Sequence, residues 1–161
     1  MQIKYLNENT PDEIVLQIQV MIRNNWGKEY KSIKEIEKEL FLAKQAKTLP
    51  RVYYIKRNKE VIATIGLLKH DLKSCKYSPW LANFFVKESY RLQGIGNMLY
   101  NRLIGDARKL GYSKLYLYAK GLDTFYIRKN WIILKQFYYM KLHYNLFVLH
   151  LDTKKGADSI S

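Results

Sequence analysis

Residues 88–97 read Glu88-Ser89-Tyr90-Arg91-Leu92-Gln93-Gly94-Ile95-Gly96-Asn97. Upstream, Ser78-Pro79 opens a β-rich run from Trp80 to Val86. Downstream, Met98, Leu99, Leu103, Ile104 and Ala107 recur at helical spacing, and Gly111 stops the helix. The stretch is therefore a strand-to-helix junction. A helix start presents unpaired N–H groups and a partial positive charge, and both suit a phosphate. Glycine at 94 and 96 lets a ligand approach the backbone, and Arg91 adds a fixed charge. A P-loop is excluded, because no Gly-Lys-Ser/Thr follows. A dinucleotide-binding turn expects a third small residue where Leu99 stands. Read alone, the turn is an anion cradle of modest specificity, since tight turns need glycine for backbone reasons as well.

Working outward, Gln2 to Leu6 predicts a first strand. Thr10-Pro11-Asp12-Glu13 predicts a capped helix start, and Ile14, Ile18, Met21 and Ile22 give that helix its apolar stripe. Asn24-Asn25-Trp26-Gly27 breaks it. Ser32-Ile33-Lys34-Glu35 repeats the capping box before a second helix lined by Ile33, Ile36, Leu40 and Phe41. Val52–Lys56 and Val61–Leu68 form a hairpin through Arg57-Asn58-Lys59-Glu60. After the glycine turn and its helix come a strand at Leu115–Tyr118, a short helix at Asp123–Lys129 with Asn130 as its left-handed stop, and a hairpin of Trp131–Met140 with Tyr144–Leu151. The order β-α-α-β-β-β-α-β-α-β-β predicts an α/β (α+β) domain. Its sheet is mixed but mostly antiparallel, of about seven strands, with helices on its faces. One domain covers residues 1–152, and 153–161 is a polar tail.

The composition agrees. In 161 residues, 48% are hydrophobic, enough for one packed core. A single cysteine, Cys75, excludes an internal disulfide and suits a reducing compartment. No basic-then-apolar leader opens the chain, and Val61–Leu68 is too short an apolar run to span a bilayer. The expectation is a cytoplasmic protein with no membrane role. The net charge of +14 favours anionic partners, but the lysines are dispersed as on a solvated surface. Nucleic acid is therefore a less favoured partner.

Two stretches together carry a family resemblance. Trp80-Leu81-Ala82-Asn83-Phe84-Phe85-Val86 followed by Arg91-Leu92-Gln93-Gly94-Ile95-Gly96, and then Phe125-Tyr126-Ile127-Arg128-Lys129-Asn130-Trp131, resemble two motifs of the GNAT superfamily of N-acetyltransferases, in order and at the usual separation. The resemblance covers residues 1–152. It implies acetyl-CoA as co-substrate and no metal. It places Phe84, Phe85 and Val86 along the pantetheine arm, and Arg91, Gln93, Gly94, Ile95, Gly96 and Asn97 at the pyrophosphate. Tyr126 stands where many members keep a general acid; a phenol of pKa about 10 can donate to the departing sulfur. The implied reaction is acetyl transfer to a primary amine of a small molecule or of a protein or peptide N-terminus, by direct attack.

The resemblance also implies where the acceptor sits. Trp26, Glu29 and Tyr30 border the cleft, Trp80 faces it, and the hairpin around His143-Tyr144-Asn145 forms the opposite wall. Two departures stand out. Asn130 replaces a glycine, which asparagine tolerates. Ala119-Lys120-Gly121 lacks an asparagine that some members use on the pantetheine. More consequentially, the strand Trp80–Val86 has no acidic residue to serve as base, leaving Glu29, His70 and Asp71 as candidates in loops or strand ends. Deprotonating a lysine-like amine at pH 7 costs about 4.6 kcal/mol, against about 1 kcal/mol for an α-amine. A low-pKa amine is the expected acceptor. Two other readings remain: a toxin-like enzyme acting on aminoacyl-tRNA, served by the basic charge, and a non-catalytic module binding acyl-CoA or nucleic acid. A monomer and a homodimer fit equally.

Overall fold

The computed structural model describes residues 1–26, 31–71, 75–139 and 141–152. In chain order its elements are β1 (Ile3–Tyr5), α1 (Asp12–Trp26), α2 (Ile33–Gln45), β2 (Arg51–Arg57), β3 (Glu60–Leu68), β4 (Trp80–Val86), α3 (Ile95–Lys109), β5 (Lys114–Ala119), α4 (Asp123–Arg128), β6 (Ile132–Tyr139) and β7 (Leu142–His150). One seven-stranded sheet runs β1-β2-β3-β4-β5-β7-β6. Only β4 and β5 pair in parallel; every other neighbour is antiparallel. This is the mixed, mostly antiparallel sheet the pattern predicts.

Alternation along the strands divides the core between two sheet faces. Tyr53 and Ile55 of β2 point to α3, where Leu99, Leu103 and Ala107 meet them. Val52 and Tyr54 point the other way, to Ile14, Ile18 and Ile22 of α1 and Ile36 and Leu40 of α2. Trp80, Ala82, Tyr116, Leu146 and Val148 form a third cluster.

The two expected helix starts differ in their capping. Ser32 Oγ accepts from Glu35 N–H at 3.1 Å, and the Glu35 carboxylate accepts from Ser32 N–H at 2.8 Å, completing the expected capping box. Thr10 does not cap α1. Its Oγ1 accepts from Asn7 N–H at 3.0 Å, closing the turn before the helix. On α2 the stripe runs through Ile36, Leu40 and Ala43, leaving Ile33 and Phe41 exposed, and Met98 on α3 is exposed too. Trp131 lies outside β6. Its indole N–H donates to Tyr100 Oη at 2.7 Å, which pins α4 to α3.

The strand that matters for function is β4. Thr64 pairs with Phe85 and Gly66 with Ala82, so Asn83 and Phe84 together face Ile65. That extra residue is a β-bulge, and Asn83 takes φ 53° within it. A bulge bends its strand. On its far side β4 meets β5 at one register pair, Trp80 with Tyr116, and beyond it the two strands diverge.

Candidate active site

The divergence of β4 from β5 opens the centre of the sheet. A groove of about 540 Å³ and a cavity of about 320 Å³ lie against it, sharing Phe84, Leu122 and Tyr126.

The groove is built largely from backbone. After β4, Glu88–Tyr90 makes a single 3-10 turn, and Arg91 Nε donates back to Val86 C=O at 2.8 Å. Leu92 at φ 60° and Gly94 at φ 81° reverse the chain into α3. A Cβ at Gly94 would meet nothing within 4 Å, so conformation rather than crowding favours glycine there. The first helical bond of α3 is Met98 N–H to Gly94 C=O at 3.0 Å. The N–H groups of Ile95, Gly96 and Asn97 therefore have no helical acceptor and face out of the helix start. Lys129 Nζ donates to Asn97 Oδ1 at 2.9 Å, bringing a second cation to the first turn of α3. Of the residues expected along the co-substrate, Phe84, Phe85, Val86, Arg91, Gly94, Ile95, Gly96 and Asn97 all line this groove. Gln93 does not; its side chain donates to Ser89 C=O at 3.4 Å.

Tyr126 stands on the shared wall. Its ring packs edge-on against Phe125 and Trp131 and tilts over Phe147. Burial pushes its phenol pKa well up, so the hydroxyl stays protonated at every physiological pH.

The cavity is made of side chains from distant parts of the chain. Trp26 from α1, Asp71 after β3, Asn83 from β4, Tyr118 from β5, Tyr139 from β6 and Tyr144 from β7 all line it. Trp26 meets Phe85 edge-to-face at 6.5 Å. The expected opposite wall is present through Tyr144, whereas Asn145 instead donates to Asp123 at 2.9 Å. Glu29 and Tyr30 lie outside the described residues. Trp80 is a correction. It is fully buried in the third cluster, its N–H donates to Tyr77 C=O at 2.7 Å, and it supports the sheet rather than facing the cavity. Of the candidate bases, His70 is exposed and outside the cavity, while Asp71 reaches it.

Behind Asp71 lies a cluster that sequence reading missed. Lys31 Nζ bonds Glu39 Oε2 at 2.6 Å and Asp71 Oδ1 at 3.0 Å, and Asn83 Nδ2 donates to the other Glu39 oxygen at 2.8 Å. Burial raises the Glu39 pKa above the usual carboxylate range, with Lys31 opposing. Burial lowers that of Lys31, but the charges of Asp71 and Glu39 prevail and hold it above its ordinary value. Two sequence signals pointed here. Asn83 is a polar residue inside an apolar strand, and Glu39 falls between Ile36 and Ala43 on the buried stripe of α2.

The profile of the acetyltransferase (GNAT) family matches residues 17–125, most of the sheet and the whole glycine turn. The chain belongs to the GNAT acetyltransferase family. Solved structures agree on the fold of this acetyltransferase. An aminoglycoside 6'-N-acetyltransferase complexed with coenzyme A superposes with TM-score 0.73 at 16% identity, over 94% of this chain and 97% of that one. The NatC complex bound to Gag peptide and CoA gives 0.72 at 19%, over 94% and 99%. An acyl-CoA N-acyltransferase from Pseudomonas aeruginosa gives 0.70 at 12%, over 92% and 99%. A search of curated protein sequences returned no significant match. No helix among the described residues is long and apolar enough to cross a membrane.

Proposed function

We propose that this acetyltransferase takes acetyl-CoA in the groove and an amine acceptor in the cavity, with Tyr126 as the general acid where the two meet. The observation that carries this reading is the opening of β4 from β5. It leaves the β5-facing backbone edge of Phe84–Val86 without a strand partner beside a helix start whose N–H groups also lack one. Phe84–Val86 are half-buried, and a strand edge shielded from water needs a partner. The amides of a pantetheine arm supply one in strand-like fashion, and a pyrophosphate suits the start of α3 and Arg91. Bound there, acetyl-CoA supplies a thioester carbonyl.

The chain's own residues then have defined tasks. Arg91, Gly94, Ile95, Gly96 and Asn97 hold the anionic end. The cavity walls orient the amine and exclude water. The amine nitrogen forms a C–N bond, the C–S bond breaks, and the nitrogen gives up a proton. Tyr126 donates its hydroxyl hydrogen to the departing sulfur, which leaves as a thiol, and the proton shed by the nitrogen restores the phenol by way of solvent. A small-molecule amine fits a cavity of about 320 Å³, at the small end of ligand pockets of roughly 300–1,000 Å³. A peptide N-terminus is the second acceptor, favoured by a lining that extends to Trp26 of α1, Tyr139 of β6 and Leu142 and Tyr144 of β7. Thiol release from acetyl-CoA across a panel of amines tests the proposal. A panel without turnover, together with unmeasurable acetyl-CoA binding, would sink it.

A further inference from the structure

Lys129 closes α4, where its N–H donates to Tyr126 C=O at 3.0 Å and Asn130 follows at φ 70°. From there its side chain crosses to α3. Nζ lies 4.6 Å from the centre of the Tyr100 ring and 5.2 Å from that of Phe125, and it donates to Asn97 Oδ1 at 2.9 Å. Among the described residues no carboxylate pairs with it. An ammonium held by two ring faces and one amide oxygen leaves its charge uncompensated at the start of α3.

That contact decides what Asn97 can offer a ligand. An amide side chain has an acceptor end and a donor end, and only its partners fix which way it turns. A lysine can only donate, so it takes the oxygen. The Nδ2 end, with two hydrogens, is the branch left for the groove that Asn97 lines. It has no hydrogen-bond partner among the described residues. A cation on Oδ1 also polarises the amide, which strengthens those N–H groups as donors. They stand in the first turn of α3 beside the N–H groups of Ile95 and Gly96, and all of them suit an anion. Lys129 itself is not part of the groove lining, so its route to a ligand runs through Asn97.

We infer that Lys129 is a positioning residue for the co-substrate: it fixes the Asn97 amide with its NH2 towards the groove, where that NH2 donates to the anionic end of acetyl-CoA. This rests on the reading of the groove as the acetyl-CoA site.

The test is calorimetric titration of acetyl-CoA into the full chain and its variants, with thermal melting of each alongside. Lys129→Met keeps an apolar stem on Tyr100 and Phe125 but removes the ammonium. It is expected to weaken binding about three- to tenfold, as the loss of one hydrogen bond implies. Lys129→Arg, which can also only donate, restores most of the affinity. Asn97→Ala weakens binding by a similar or larger factor, and adding Lys129→Met to it costs little more. Such non-additivity is what action through Asn97 requires. Asn97→Asp separates binding from folding. A carboxylate there pairs with Lys129 and suits the first turn of a helix, so Tm holds or rises, while affinity falls further than in Asn97→Ala. If Lys129→Met binds as the wild type does, or if the two single losses add, the inference falls and the groove reading stands. It falls likewise if Asn97→Asp keeps wild-type affinity. A wild-type protein that does not bind acetyl-CoA overturns the groove reading and the inference together.

Discussion

The groove at Gly94 and the cavity at Asp71 share Tyr126 but are built by different means. The groove is nearly contiguous in sequence: its strand end, turn and helix start fall between Phe84 and Asn97, with Leu122, Phe125 and Tyr126 added from one short segment and Asn25 from α1. Its working groups are mostly backbone, fixed by Gly94 and by the Arg91 clasp on Val86. The cavity is assembled from α1, the end of β3, and β4 to β7, and its working groups are side chains. Backbone recognition constrains few residue types, so it leaves a compact motif. Side-chain recognition varies with every loop, so it leaves none.

Four substitutions would break or sharpen that contrast. The largest effect is expected at the shared wall. Tyr126→Phe should lower kcat by about 10²-fold or more with little change in KM for acetyl-CoA, measured by thiol release. A rate near wild type would remove Tyr126 from the chemistry. Next, Arg91→Ala should weaken acetyl-CoA binding about ten- to a hundredfold by calorimetry, through loss of a charge-assisted contact, without moving the acceptor KM. If both constants move together, the two regions are not separable.

The third test lies in neither region. Asp106 on α3 accepts from Tyr53 Oη at 2.8 Å, from Arg102 Nε at 3.2 Å and from Arg51 at 3.4 Å. Burial raises its pKa, but the Tyr53 and Arg102 hydrogen bonds and the arginine charges outweigh that and hold it below the ordinary carboxylate range. A depressed carboxylate stabilises the fold above its unfolded pKa, and that contribution fades as pH falls through the folded value. Asp106→Asn should cost about 1–2 kcal/mol in urea unfolding at neutral pH, discounted because Arg102 is partly solvated. The difference should vanish in strong acid. A large drop in acetyl-CoA affinity in this variant would mean that the groove depends on the whole of α3 rather than on its first turn. The smallest effect is expected from Tyr144→Ala, which removes one aromatic face of the cavity. The acceptor KM should rise about threefold to tenfold while acetyl-CoA affinity holds. An unchanged KM would take Tyr144 out of the acceptor wall.

Legibility followed the same division. The α1 stripe, the Ser32–Glu35 box, the β2–β3 hairpin and the left-handed stop at Asn130, φ 70°, were all readable, because each is set by neighbours within a few positions. Thr10 misled because its hydroxyl had a competing acceptor role towards Asn7. Trp80 misled because a large aromatic in a strand can face either side, and only the third cluster determined which. Glu39 and Lys31 escaped notice because a charged residue on a helix is ordinarily solvated. Their partners Asp71 and Asn83 lie far along the chain.

By itself, then, the sequence determined the element order, the strand–turn–helix at Arg91–Gly96 and the tyrosine downstream of it, since local backbone geometry and short-range spacing specify all three. Only the tertiary structure decided that β4 bulges at Asn83 and parts from β5. Only it decided that Lys31, Glu39, Asp71 and Asn83 converge behind the opening. Those contacts join residues of α2, β4 and the segments before and between them, and no local pattern encodes a meeting that depends on how helices pack across a sheet.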